Sequence, residues 1–207
     1  MNTLVTAASA FGDPTNTYNG VEANVRARFG RGGVLQGGVS TAKTVADNCF
    51  TVDLPSRPDY CRTVSTWSHE AQLKLFGNYP LPWWGLQVSG TFQSLPGPTV
   101  AANQRYTSAQ IAPSLGRPLS AGATGTVSIA VLAPNTLYEP RFSQTDLRVT
   151  KMIRIQKLRA QAQFDAYNVF NSSAVLGVNG TYGATWRQPS TILGARLLKF
   201  GVQLDWR

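Results

Sequence analysis

The chain has 207 residues, 43% of them hydrophobic and 14% charged, which is enough apolar material for one domain and excludes a disordered tail. Its formal charge of +9 invites a nucleic-acid reading, but the basic residues stand singly at alternate positions of extended segments (Arg26, Arg28, Lys74, Arg148, Arg159, Lys199) or in loops. A solvated polar face accounts for them, and no nucleic-acid partner is expected.

No apolar run approaches the ~18 to 20 residues of a transmembrane helix, which excludes a helical membrane protein. A β-barrel remains open, because alternating strands of about 10 residues average to a mean hydropathy near zero, and here it is −0.13. Met1 to Ala10 lacks a basic start and a sustained apolar stretch, so it is a poor export signal. Gly, Pro and aromatic residues scattered along the chain favour many short strands joined by turns.

The first clear pattern is Tyr18 to Gly30, where Val21, Ala23, Val25, Ala27 and Phe29 alternate with Glu22, Asn24, Arg26 and Arg28. Period two over this length predicts a strand with one apolar and one polar face. Arg31-Gly32-Gly33 supplies a tight turn, and Leu35, Gly37, Val39 and Thr41 continue the alternation, predicting a hairpin. Residues 46 to 65 lose the pattern and form a long loop holding both cysteines.

Extended pattern resumes with Ala71, Leu73, Leu75 and Gly77 on one face, Phe76 being the exception on the other, followed by a short turn at Tyr79 to Pro82. Trp84, Leu86, Val88, Gly90 and Phe92 then alternate with Gln87, Ser89, Thr91 and Gln93. A Pro-, Gly- and Ala-rich stretch without period runs from 94 to 143. Leu147, Val149 and Ile153 alternate with Asp146, Arg148 and Thr150, with Lys151 the one charge on the apolar face, placed to snorkel from near the strand end.

After a turn near Arg154 to Lys157, Leu158, Ala160, Ala162, Phe164 and Ala166 alternate with Arg159, Gln161, Gln163 and Asp165. A polar loop from 168 to 190 precedes the last strand, in which Leu198, Phe200, Val202, Leu204 and Trp206 oppose Lys199, Gly201, Gln203, Asp205 and Arg207. The count is about seven strands.

Alternation alone fits a soluble sandwich as well as a membrane barrel. The connections discriminate: short (31 to 33), long (46 to 65), short (79 to 83), long (94 to 143), short (154 to 157) and long (168 to 190). Such sorting is expected of an antiparallel transmembrane β-barrel with short periplasmic turns at one end and long extracellular loops at the other. Single-chain bacterial barrels have even strand numbers, so seven strands read as the C-terminal portion of a larger barrel. In that reading 1–207 is one barrel segment, 1–17 is the remnant of an extracellular loop, and further strands lie upstream.

Other chemistry finds no support. His69 is the only histidine, and His69-Glu70 has no second ligand or acid–base partner to complete a metal or catalytic site. Gly30-Arg31-Gly32-Gly33 lacks the Lys-Ser/Thr of a phosphate loop, and no Gly-x-Ser-x-Gly elbow is present, so neither an enzyme nor a cofactor is expected. Cys49 and Cys61 share one loop at a spacing that suits a disulfide bracing it in an oxidising compartment, whereas in a cytosolic protein they would be free thiols.

At the C-terminus, Asp165-Ala-Tyr-Asn-Val-Phe-Asn-Ser-Ser-Ala-Val-Leu, Asn179-Gly-Thr-Tyr-Gly, Trp186, Pro189-Ser-Thr-Ile-Leu and Ala195-Arg-Leu-Leu-Lys-Phe-Gly-Val-Gln-Leu-Asp-Trp resemble the end of TonB-dependent receptors, in particular the Oar-like branch with a carboxypeptidase-regulatory-like domain. Val88-Ser-Gly-Thr-Phe-Gln-Ser-Leu-Pro-Gly-Pro, Ala112-Pro-Ser-Leu-Gly-Arg-Pro-Leu-Ser and Leu132-Ala-Pro-Asn-Thr-Leu-Tyr are similar to the same branch. The resemblance implies an outer-membrane barrel of 22 strands around a plug, taking up a scarce nutrient with energy passed by TonB. The plug, the TonB-contacting segment and the regulatory domain have no counterpart in these residues. Outer-membrane lipid, the plug and TonB are the partners it implies.

Lys199-x-Gly201-x-x-Leu204-x-Trp206 resembles the C-terminal signal read by the barrel-assembly machinery, with Arg207 added after the usual terminal aromatic. An open strand edge can be captured by strand addition, and Trp suits a membrane interface. The rival reading is a secreted β-sandwich that binds glycans through exposed Trp and Tyr. In the barrel reading Glu22, Arg26, Arg28, Gln87, Arg148, Arg159, Gln163 and Asp165 face the lumen.

Overall fold

The computed structural model describes residues 12–49 and 60–206, together with Ala7 and Ser9. It is an antiparallel all-β protein. The strands are β1 (Thr15–Phe29), β2 (Gly33–Asp47), β3 (Arg62–Val64), β4 (Gln72–Pro80), β5 (Leu86–Leu95), β6 (Asn103–Thr107), β7 (Thr126–Ala130), β8 (Phe142–Ile155), β9 (Leu158–Tyr167), β10 (Val175–Val178), β11 (Pro189–Ile192) and β12 (Leu197–Trp206). Two short helices, α1 (Trp67–Glu70) and α2 (Ser108–Leu115), lie in the loops.

The main sheet is a meander in the order β1-β2-β4-β5-β8-β9-β12, with β3 as an extra strand on β2. These are the seven alternating segments of the sequence, each within a few residues of its expected bounds. Most of the anticipated 1–17 loop lies outside the described residues, as does Arg207, and β1 already begins at Thr15. The sheet is open: β1 is paired only to β2, and β12 only to β9.

The short connections cluster at one end of the meander and the long ones at the other, because successive antiparallel strands reverse direction. Gly32 turns the β1–β2 hairpin at φ 108°, where a side chain would be strained. The β4–β5 turn departs from expectation. β4 continues through Pro80 and the turn is residues 81–85, so Trp84 is not the first residue of the strand's apolar face. Trp84 and Gly85 both take left-handed φ, 57° and 60°, which no strand can propagate. Leu81 N–H donates to the Leu86 carbonyl at 2.8 Å and closes the turn.

The long loops carry their own structure. In the second, β6 and β7 form a hairpin around α2, whose N-terminus is fixed by a capping box between Thr107 and Gln110 and whose end is turned by Gly116 at φ 70°. In the third, β10 pairs with β11. Trp186 Nε1 donates to the Ala101 carbonyl at 2.8 Å, Arg187 and Glu139 form an ion pair at 3.0 Å, and Arg141 donates to the carbonyls of Ala71 and Ser94 at 2.8 and 3.1 Å. The three long loops are therefore tied to one another. Among the described residues the buried apolar side chains are Ala42, Val100 and Ala102, two of which belong to the second long loop.

Candidate functional site

Residues opposite one another in an antiparallel ladder share a face, so the register maps both surfaces of the sheet. One row of directly opposed residues runs Arg28, Val34, Asn78, Ser89, Arg148, Asp165 and Lys199 across seven strands. The row below it on the same face includes Gln87, Thr150, Gln163 and Gly201. Glu22, Arg26 and Arg159 keep the same parity, so all eight polar residues expected on one face do lie on one face.

The polar face carries two broad depressions. A depression of about 690 Å³ spans β1 to β8 on this side and is lined by Arg26, Gln36, Lys74, Phe76, Gln93 and Asp146. Beside it a second, of about 360 Å³, is lined by Asn78, Gln87, Asp146, Arg148, Asp165 and Tyr167. Phe76, the exception in its strand's pattern, stands in register with Gln36 and Thr91 on this wall.

Hydrogen bonds join the polar side chains across strands. The Arg148 guanidinium grips both oxygens of Asp165, with Nη2 3.0 Å from Oδ2. Gln144 Nε2 donates to Asp146 Oδ1 at 2.9 Å, and Gln93 Nε2 donates to Gln144 Oε1 at 3.1 Å. Asp165 is only 3% exposed, yet bidentate pairing compensates the loss of water around its charge. The Asn78 side-chain oxygen is buried here with no partner among the described residues.

The opposite face is apolar and uncovered. Its band runs from Val21 to Phe29 on β1 and from Leu198 to Trp206 on β12. Arg28 lies one residue before the end of β1, whereas Lys199, in the same row, lies seven residues before Trp206. Strand ends and apolar band are therefore staggered together by six residues from β1 to β12. At ordinary strand spacings that is roughly 20 Å of stagger over roughly 29 Å of sheet, a strand tilt of about 35°.

The individually expected residues fall as follows. Cys49 and Cys61 are joined, with Cα atoms 4.5 Å apart, where the chain leaves β2 and enters β3. Lys199, Gly201, Leu204 and Trp206 all lie on the edge strand β12, the first two on the polar face and the last two on the apolar one. A Cβ at Gly201 would meet nothing within 4 Å, so any close approach there would come from a neighbour beyond the open edge. His69 lies in α1, with Nδ1 2.9 Å from Thr66 Oγ1 and its ring stacked on Tyr138 at 3.9 Å. Burial, and secondarily the charge of Glu70, pushes the Tyr138 hydroxyl above the usual tyrosine range.

Asn168 was not singled out by the sequence reading. It sits 3% exposed at the end of β9 in a left-handed conformation, φ 50°. Its Nδ2 donates to the carbonyls of Ser172 and Gly194 at 2.9 and 2.8 Å, and its Oδ1 accepts from Ser172 N–H at 2.9 Å. It thus clips the two ends of the third long loop together. The available signal was an Asn directly after a strand, a residue type that tolerates left-handed φ and bonds nearby backbone.

No family model, no curated protein and no solved structure matches this chain.

Proposed function

We propose that this chain is a segment of an outer-membrane transport barrel of the TonB-dependent receptor class. In this reading the apolar face meets lipid, the polar face lines the lumen beside a plug, and the tied long loops lie outside the cell. The receptor class rests on the sequence resemblance at the C-terminus. Uptake of a scarce nutrient, driven through TonB and the plug, belongs to the full-length receptor, and β12 would carry the barrel-assembly signal.

The observation that carries the membrane reading is the oblique apolar band. A flat lipid slab cuts tilted strands at positions that shift across the sheet, as the ends of this band do between β1 and β12, most of the shift falling between β5 and β8. The tilt of about 35° falls at the edge of the barrel range of about 35 to 45°. The eight residue-to-residue steps of the band on each outer strand give roughly 26 Å along the strand, or about 22 Å normal to such a slab, close to the ~25 Å apolar belt of outer-membrane barrels. A sandwich would bury this face under a second sheet; among the described residues the other sheets are two-stranded and the face is exposed.

Tryptophan quenching tests the reading. In vesicles of brominated phosphatidylcholine, single-tryptophan variants retaining Trp84 or Trp206, at the end of the band, are expected to be quenched, and those retaining the loop residues Trp67 or Trp186 are not. Equal quenching of all four would refute it.

A further inference from the structure

We propose that the short-turn rim, centred on the β8–β9 hairpin, binds the phosphate groups of anionic phospholipid. The proposal rests on the membrane reading and adds a lipid preference to it. Between Leu147 and Phe164 the chain carries five cations, Arg148, Lys151, Arg154, Lys157 and Arg159, and no carboxylate. Arg148 is held by Asp165. The other four form no ion pair among the described residues.

Their placement makes this more than a solvated charge run. Arg154 and Arg159 stand directly opposite each other across the hairpin, an arrangement in which like charges destabilise the pair unless an anion lies between them. Asp205 is in register with Arg159, but its carboxylate is engaged by Gln203 at 3.3 Å and does not reach the guanidinium. Both arginines are one residue from the hairpin turn, so their long side chains can clear the sheet edge. Lys157 occupies the two-residue turn itself.

Lys151 extends the patch onto the apolar face. Its ammonium donates to the Trp84 carbonyl in the neighbouring turn, which uses one of its three donors. Trp83 and Trp84 beside it are 63% and 79% exposed, and Ile153 and Ile155 are exposed on the same hairpin. Cations interleaved with exposed Trp and Ile at the margin of an apolar band match a lipid, which presents acyl chain and phosphate together. An acidic peptide would satisfy the charges and leave the apolar side chains in water. At the opposite end of the sheet Arg187 is paired with Glu139 and Arg62 with Asp47, and the loop cations Arg105 and Arg117, which form no ion pair among the described residues, are not set opposite another cation in a strand ladder.

Co-flotation of the full chain with vesicles of phosphatidylcholine alone, or mixed with phosphatidylglycerol, tests the proposal. Association with the phosphatidylglycerol vesicles is expected to be stronger by about tenfold or more and to weaken as salt is raised. Neutralising Lys151, Arg154, Lys157 and Arg159 to Gln should abolish most of that preference while strand content of the bound protein, read by circular dichroism, is kept. Neutralising the loop residues Arg105 and Arg117 to Gln should leave it intact. Equal association of the unmodified chain with both vesicles overturns the lipid proposal alone, as does a preference that survives the four substitutions or is lost with the loop pair. Failure to associate with either vesicle overturns the membrane reading with it.

Discussion

Val149 and Thr150 are chain neighbours on β8, a strand flanked on both sides, and it is the valine that is 38% exposed and the threonine 4%. Burial of the polar residue and exposure of the apolar one inverts the order that water imposes, since a large apolar side chain left in water forgoes about 1.5 to 3 kcal/mol of burial. The inversion recurs along β8, where Leu147 and Ile153 are exposed while Asp146 and Arg148 are half-buried, and a surrounding apolar solvent would remove the conflict. The expectations below follow from that arrangement.

Charges introduced on the apolar face should prevent assembly, and charges on the polar face should not. Val88→Arg and Phe164→Arg each cost about 2 to 4 kcal/mol in lipid near the middle of the band, whereas Gln87→Arg and Gln163→Arg remain on the polar wall. Heat-modifiable migration of the membrane-inserted protein reads the difference. Similar losses from all four would show that the faces are wrongly assigned.

Orientation follows from the sorting of connections. With the protein in an outer membrane, Arg117→Cys in the second long loop should react with an impermeant thiol label on intact cells, while Arg31→Cys in the β1–β2 turn should react only after the membrane is breached. Native Cys49 and Cys61 are paired and should not compete. Labelling of position 31 from outside would invert the topology.

The disulfide closes a short loop, twelve residues in separation, so its effect is modest, at most about 3 kcal/mol by the chain-entropy account. Exported protein should show no titratable thiol until reduced. Reduction should increase protease cleavage between 49 and 61 without releasing the main sheet. Two free thiols before reduction would exclude the bond.

Asn168 should act on the third long loop alone. Asn168→Asp keeps the acceptor for Ser172 N–H and loses both donors, to the carbonyls of Ser172 and Gly194, at about 0.5 to 1.5 kcal/mol for each lost hydrogen bond. Amide exchange should quicken through 169–196 and stay unchanged in β4 and β5. A uniform change across the sheet would contradict the local clip.

Tyr138 should make the loop end sensitive to alkali. Its folded-state pKa is raised by burial and then by Glu70, so the folded state holds the proton more tightly than the unfolded one. The associated stability is complete below the ordinary tyrosine value of 10.0 and is lost as pH rises through the higher folded value. Tyr138→Phe removes a buried hydroxyl that has no partner among the described residues, so it should preserve or slightly raise stability at neutral pH and abolish the alkaline loss. Exchange rates in 96–141 across that pH range check it.

Much of the fold was legible because strand alternation is local: side chains of an extended chain point to opposite faces whatever their neighbours are. Val21 to Phe29, Leu147 to Ile153 and Leu158 to Ala166 could therefore be assigned faces from sequence, and gaps in the alternation located the connections. Trp84 defeated this reasoning, since it has the parity of the strand's apolar face but its left-handed backbone places it in the turn. The structure of 96–141 was also hidden, because its short hairpin and helix are held by contacts with 168–196 and carry no period of their own.

The sequence by itself determined the two-faced strands, their number and the sorting of short and long connections, all consequences of side-chain order along an extended backbone. Only the tertiary structure decided the register. The six-residue stagger that sets the strand tilt, the meeting of Arg148 with Asp165, the unrelieved opposition of Arg154 and Arg159, and the Asn168 clip each depend on which residue of one strand lies beside which residue of another. That choice is made by hydrogen-bond pairing between segments distant in the chain, so no local pattern contains it.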